Sequence, residues 1–562
     1  MSNNVSQRYL KAALIVVLAA AVFCFWALAY PHALSFQEQY QMFLFTGDYL
    51  MQRIKLPGGL ADYLGEFLTQ FYYIPWLGAL FLAILFVAIQ KLTWRVIDTM
   101  SARPSQALQP VAMTVPALLL WLMGDENALL SYPMALVLAM VAYLCVQHGE
   151  DKATLRVAAK SVVVVPLAYW FAGPAAWLTV MLLVIRYGWR MLHTVLVMSA
   201  MLAVAYCWWV PQAPPHDVLL GINYYRIPLQ TPQLMLVIPA VIAMLALMQR
   251  FGAKAYDGKA RYAVAAVGAA IVLALAVLAV NKGYDSDKYE LIRQDYLVRN
   301  ERWADIIDRA GEKTVKTPFW CNSVNLALAQ QRMLADRMFD FWQSGPDALI
   351  MPMYRDMTSD IISAEAFWHL AMVNSAQRYM SDMQESILNG RRSGRMTKRI
   401  AECYIVNGKY DLAKKHLMPL THTLFYSSWA KDALALNDAK VAAHPLYGKL
   451  KMRRFHEDFL FSYPELEKIF ARLFVNNKDN KMALDYFIGM LLLKGDIQTF
   501  AQALQLAQQY GGYTSMPLGY QDAVNCIRNH NALGDTPYAN YIKQMMQNST
   551  PTPNTQTNES AH

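Results

Sequence analysis

The chain has 562 residues, of which 56% are hydrophobic and 16% charged, with a formal net charge of +9. An average soluble domain carries roughly 25% charged residues, so the composition leans toward a membrane protein. The positive excess is also too small and too dispersed to be a nucleic-acid footprint. The charge deficit is uneven: residues 1–280 hold only 17 of the 50 Lys+Arg and 11 of the 41 Asp+Glu, which predicts a membrane half followed by a soluble half.

Nine apolar stretches are predicted as membrane-crossing helices, near 11–30, 75–94, 109–123, 128–147, 157–172, 174–187, 191–210, 232–249 and 262–280. A hydrocarbon core of ~30 Å takes ~20 helical residues. The third, fifth and sixth are short, as tilted pairs or a re-entrant hairpin would be. Arg8, Lys11 and the following run, ending in Ala27-Leu28-Ala29, have the outline of a cleavable signal. Phe23, Phe25, Trp26 and Tyr30 crowd the would-be cleavage site, so an uncleaved anchor is expected. Lys and Arg in alternate loops number 14 on one side and three on the other (Arg53, Lys55 and Arg226). By the positive-inside rule the N-terminus is cytoplasmic, and an odd number of spans leaves everything after residue 280 outside.

The long first outer loop, 31–74, reads as two amphipathic helices. Ser35 to Arg53 carries Phe36, Tyr40, Phe43 and Leu44 at helical spacing, Pro57-Gly58-Gly59 breaks the chain, and Leu60 to Tyr73 forms a wide apolar stripe. Such helices would lie in the interface plane of the outer leaflet, with Asp62, Glu66 and Gln70 on the opposite, solvated face. Seven carboxylates face outward in all: Glu38, Asp48, Asp62, Glu66, Asp125, Glu126 and Asp217. Glu38, just after the first span, and Asp48, in a Thr46-Gly47-Asp48-Tyr49 turn, stand out among them. This topology resembles the GT-C type of polyprenol-dependent glycosyltransferase. The resemblance covers residues 1–280 without a diagnostic motif, and the paired acidic residues usual in that type are not adjacent here. It implies Glu38 and Asp48 as base or metal ligand, and Tyr224, Tyr225 and Arg226 of the last outer loop as contacts for a lipid phosphate. The plainer reading leaves the carboxylates as surface groups and the tyrosines in an aromatic belt. Transport is disfavoured, because the spans are nearly free of charged residues.

From Asp285 to Gln547 the chain reads as consecutive amphipathic helices. Three pairs have tetratricopeptide-like spacing: Tyr289 to Glu312, Met396 to Leu420 around Asn407-Gly408-Lys409, and Asn480 to Tyr510 around Lys494-Gly495-Asp496. The expected architecture is therefore all-α: a membrane bundle (1–280), an extracytoplasmic α-solenoid (281–547) and a disordered tail (548–562). The segments 324–330, 425–430 and 480–486, with Phe43-Leu44-Phe45-Thr46 and Gly58-Gly59-Leu60-Ala61-Asp62-Tyr63, are similar to an uncharacterised Bacteroidetes family of multi-spanning proteins with a tetratricopeptide-like tail. That resemblance implies a Gram-negative inner membrane with the tail in the periplasm, and no activity.

Cys24, Cys145 and Cys207 fall in spans, and Cys321, Cys403 and Cys526 in the outer domain read as thiols rather than a disulfide framework. The basic run Arg391-Arg392-Ser393-Gly394-Arg395 reads as a solvated loop. The favoured function is a membrane protein presenting its helical domain to a protein or peptide partner, without cofactor. The alternative is a lipid-linked-sugar glycosyltransferase at the outer face, and only that reading admits a divalent metal.

Overall fold

A computed structural model describes residues 2–101, 109–150, 152, 154–209, 215–221, 223–227, 229–252, 260–456, 462–528 and 534–549. Arg103, Lys254 and Lys259 of the charge count, and 550–562 of the expected tail, lie outside the described residues. Among the described residues every element is helical, apart from one isolated antiparallel bridge between Ala128 and Tyr225. The chain forms two compact units. The first comprises Met1–Tyr289 with Ile387–Arg395 and Leu417–Asp432, and the second takes the remainder.

The first unit begins with α1 (Ser2–Cys24), extended by a π-helical turn (Phe25–Ala29), then α2 (Pro31–Glu38), α3 (Gly47–Ile54), α4 (Gly59–Thr69) and α5 (Pro75–Asp98). It continues through α6 (Thr114–Leu122), α7 (Ser131–Gln147), α8 (Leu155–Ala172), α9 (Trp177–Tyr187), α10 (His193–Trp209), α11 (Pro215–Leu220), α12 (Leu234–Gly252) and α13 (Ala260–Gly283). Five stretches are long and apolar enough to cross a membrane: Ala12–Ala29, Pro75–Asp98, Leu155–Met191, Leu234–Phe251 and Ala263–Gly283. Val111–Leu122, Ser131–Gln147 and His193–Cys207 are apolar but shorter, so fewer than nine of the expected spans reach membrane length. Leu155–Met191 is not one rod. Straight, its 37 residues would extend about 55 Å, yet the Tyr187 hydroxyl at its far end donates to the Glu150 carbonyl just before its start, at 2.8 Å. The chain doubles back at Gly173–Ala176, where Gly173 holds φ +66° and Pro174 follows.

Two local readings need correcting. The helix expected over Ser35–Arg53 is broken between Glu38 and Gly47, because tertiary backbone bonds replace helical ones. Met42 N donates to Arg392 O and Phe45 N to His422 O, both at 2.8 Å. The Thr46 side chain then caps α3 by accepting from Tyr49 N at 3.3 Å. The aromatic residues ending the first span also do more than edge a membrane. Trp26 is buried, and Phe25, Trp26 and Tyr30 pack with Tyr284 at the other end of the unit's sequence, at ring-centroid distances of 4.8–5.9 Å.

The second unit is built from α14 (Ser286–Arg299, from Glu290 onward), α15 (Trp303–Glu312), α16 (Pro318–Gln330), α17 (Leu334–Arg337), α18 (Ile361–His369), α19 (Val373–Glu385), α20 (Gly394–Val406) and α21 (Tyr410–Leu420). It goes on through α22 (Ser427–Leu434), α23 (Asp438–Ala443), α24 (Tyr447–Arg453), α25 (Leu466–Asn476), α26 (Lys481–Lys494), α27 (Ile497–Gln509), α28 (Leu518–Arg528) and α29 (Pro537–Ser549); parts of α20, α21 and α22 belong to the first unit. The turns expected at Gly408 and Gly495 are present, each glycine at φ +71°. In an open solenoid each repeat touches only its neighbours. Here α16 packs on α26 and α17 on α28, and Asn480 Nδ2 donates to Leu370 O at 2.9 Å. All of Met482–Leu493 is buried, so α26 is enclosed on every side.

Candidate functional site

Within the first unit, the turn at Gly58 folds α3 back on α4. Gly58 adopts φ +81° and donates to Trp170 O at 2.8 Å. The Gly173 backbone lies only 3.4 Å from where a Gly58 Cβ would sit, so both chains pass closely because neither has a side chain. This hairpin brings Arg53 of α3 opposite Asp62 and Glu66, which stand one turn apart on the same face of α4. Two neighbouring carboxylates repel unless paired.

They are paired twice. Arg53 lies 2.9 Å from Glu66 and 3.6 Å from Asp62. Arg391, 325 residues further along the chain than Glu66, donates through Nε to Glu66 at 2.9 Å and through Nη2 to Asp62 at 2.5 Å. The Tyr49 hydroxyl also donates to Glu66. The Asp62, Glu66 and Arg391 side chains are at most 3% exposed. Burial pushes the Glu66 carboxyl up, reinforced by the charge of Asp62, and the two arginines only partly pull it back. Burial works against the charge on Arg391, but the two carboxylates more than offset it and hold the guanidinium protonated. Asp62 and Glu66 are therefore interior groups, not the solvated face expected of them. Arg391 and Arg395 are likewise buried, against the reading of 391–395 as a solvated loop, while Arg392 remains exposed.

The segment around Tyr225 supplies a third guanidinium. Around Tyr225 the backbone is extended and paired: Leu129 N donates to Tyr224 O at 3.1 Å and Arg226 N to Asn127 O at 2.8 Å. Side chains alternate in such a segment. The Tyr225 hydroxyl reaches Asp125 Oδ2 at 2.7 Å on one side. On the other, the Tyr224 hydroxyl donates to Ala172 O and accepts from Ala175 N. Arg226 is 3% exposed and lies over the rings of Tyr40, at 4.6 Å, and Phe36, at 5.6 Å. Cation–π contact uses the face of the guanidinium and leaves its in-plane N–H groups free. Neither Nη1 nor Nη2 of Arg226 has a hydrogen-bond partner among the described residues, and nor does Nη1 of Arg391. Burial lowers the Arg226 pKa to about 10. The positive charge of Arg391 adds to this, while Tyr40 and the carboxylates of Glu126 and Asp125 act in the opposite sense.

The other expected site residues are placed differently from one another. Glu38 is buried and accepts from the Tyr426 hydroxyl at 3.0 Å. Asp48 is exposed in the first turn of α3, where the helix N-terminus favours a negative charge. Among the described residues no three His, Cys, Asp or Glu side chains are grouped to hold a metal ion. Beside the Tyr224 segment, a cavity of about 320 Å³ opens between α7, α9 and α12, walled by Tyr132, Leu136, Leu178, Met181, Met235 and Pro239, with Tyr224 also on its wall.

The sequence singled out Arg226 but not Arg391 as its neighbour. The only signal for that pairing was a basic run in a segment whose contacts are remote in the chain. No curated protein and no solved structure matches the chain. The model of one protein family, described only as a family of unknown function (DUF6057), matches residues 7–550, and the chain belongs to that family.

Proposed function

We propose that this is an inner-membrane protein that binds a lipid bearing a phosphate-class headgroup, held by Arg226 with Arg391 beside it. One observation carries the reading: Arg226 is buried with neither Nη1 nor Nη2 hydrogen-bonded among the described residues, and the charge of Arg391 acts against its own. A buried, unbalanced positive charge with unused donors is costly to keep, and an anion accepting from Arg226 Nη1 and Nη2 and Arg391 Nη1 would remove that cost. Phosphate suits the in-plane fork of arginine. On this reading the nine apolar arms all cross the membrane, the two broken halves of Leu155–Met191 counting separately. The 14-to-3 charge asymmetry puts the N-terminus in the cytoplasm and the loop bearing Arg226 outside, in the periplasm.

The proposal is for binding, and assigns no base to Glu38 or Asp48. The second unit remains a candidate for contacting another envelope protein. Its interior is filled by α26, so such a contact would use its outer surface rather than a superhelical groove. The test is retention of lipid phosphorus. Full-length protein and Arg226→Gln are purified from membranes in detergent, and their bound lipids are extracted and weighed by mass spectrometry. One phosphate-bearing species should be enriched on the wild type over its share of the membrane. Charge-assisted hydrogen bonds of roughly 1.5–3 kcal/mol predict about a 10- to 100-fold loss of affinity in the variant. Equal retention of the same species by both proteins would overturn the proposal.

A further inference from the structure

We infer that the apolar cavity between α7, α9 and α12 seats a single hydrocarbon chain of the lipid whose headgroup Arg226 holds; this rests on the reading above and adds to it the class of lipid. Three observations support it. The wall is hydrocarbon and aromatic almost throughout, with Thr231 the one short polar side chain; the Tyr132 hydroxyl donates to Met235 O at 2.8 Å, and Tyr224 carries the other phenolic hydroxyl. That hydroxyl is already committed, donating to Ala172 O and accepting from Ala175 N, so the wall offers a ligand little polar contact.

The second observation is continuity. Tyr224 lines the cavity and Arg226 follows two residues later, across the bridge at Tyr225. Two residues of chain span at most about 7 Å, so the Arg226 backbone lies close to the Tyr224 wall of the cavity. That is the order of an amphiphile, with charge at one end of a short track and an apolar slot at the other. The third is the rim. Leu219, Leu236 and Ala240 line the cavity and are exposed, and Leu236 and Ala240 belong to a helix of membrane length. A chain could therefore enter sideways from the bilayer without crossing water.

The volume limits the occupant. At about 320 Å³ the cavity falls at the lower end of the roughly 300–1,000 Å³ typical of ligand sites. That suits a stretch of one chain better than a whole two-chain lipid. Moving a chain from bilayer to cavity gains little, because lipid tails are as apolar as the wall. The cavity would thus set which lipid fits, while the arginines set how tightly it is held.

The experiment uses the full-length protein in phosphatidylcholine nanodiscs. The probes are a hexadecyl phosphate with a diazirine near the chain end and a hexadecyl trimethylammonium with the same diazirine. After illumination, the labelled residues are mapped by mass spectrometry. The phosphate probe should label the cavity wall, around Met181 and Met235, while the cationic probe should not. Ala240→Trp, which fills the rim, should abolish that labelling, and Arg226→Gln should reduce it about tenfold or more, the loss expected with an arginine–phosphate contact. Met181→Trp fills the slot from another wall and serves if Ala240→Trp does not fold, with folding read by thermal midpoint.

Labelling by the phosphate probe on outer helix faces, unchanged in Ala240→Trp, would overturn the inference. The headgroup proposal would survive that result if Arg226→Gln still lost its lipid phosphorus. Equal cavity labelling by both probes, indifferent to Arg226→Gln, would overturn the headgroup reading and with it the identity of the occupant.

Discussion

Replacing Arg391 with methionine tests the buried ion network. The substitution keeps an unbranched side chain in place and removes the charge. Arg391 contributes two contacts, at 2.9 Å to Glu66 and 2.5 Å to Asp62, with all three side chains at most 3% exposed. Its loss leaves two carboxylates one helical turn apart sharing Arg53 alone. Breaking a buried pair from one side costs about 3–5 kcal/mol. At about 2 °C per kcal/mol for a large cooperative unit, the thermal midpoint of the purified protein should fall by about 6–10 °C. The comparison is Arg302→Ala, which removes an equally short but half-exposed pair with Asp305 and should cost no more than about 1 kcal/mol. Adding Glu66→Gln to Arg391→Met removes the stranded charge and should recover part of the loss, with a coupling of about 1–3 kcal/mol. The reasoning fails if Arg391→Met is no worse than Arg302→Ala, or if the double variant is simply additive.

Arg226→Met should behave oppositely to Arg391→Met. With lipid stripped away, removing an unpaired buried charge should raise the thermal midpoint or leave it unchanged, and a fall of several degrees would mark Arg226 as a structural residue. Burial lifts the Asp485 carboxyl from 3.8 to about 7, despite the hydrogen bond it accepts from the Tyr513 hydroxyl. Between those values the folded state holds a proton that the unfolded state has released. The Asp485 contribution to stability is therefore greatest below about pH 4 and falls by up to about 4 kcal/mol as pH rises to about 7. Thermal scans across that window should show the difference between wild type and Asp485→Asn changing with pH in that sense. Gly173→Ala and Gly188→Ala both place a side chain at positive φ with ψ near −150°, a region essentially reserved for glycine, at a strain of about 1–3 kcal/mol. Only at Gly173 does the new Cβ meet a neighbour, the Tyr224 hydroxyl at 3.0 Å, so Gly173→Ala should be the more destabilised in a matched melt.

Much of the fold was legible because helices announce themselves locally. The apolar arms show in composition, and the turns at Gly408 and Gly495 show because a left-handed residue there favours glycine. The break between Glu38 and Gly47 was hidden, since Met42 and Phe45 give their backbone hydrogens to Arg392 and His422, far away in sequence. Asp62 and Glu66 look like a solvated face until a partner is known, and nothing near them in sequence names Arg391. The closed packing of α16 on α26 is also nonlocal. It buries α26 in a way the repeat spacing does not announce. Arg226 could be picked out as the lone basic residue of its loop, but its burial and unused donors depend on Tyr40 and Phe36, contributed by another loop.

The most direct measurement is a density map of the full-length protein purified in native membrane lipid. Lipid-phosphate binding predicts non-protein density within hydrogen-bond reach of Arg226 Nη1 and Nη2, continuing past Tyr224 into the cavity between α7, α9 and α12. A map in which Arg226 is instead satisfied by a protein carboxylate, with the cavity filled by side chains, would contradict it.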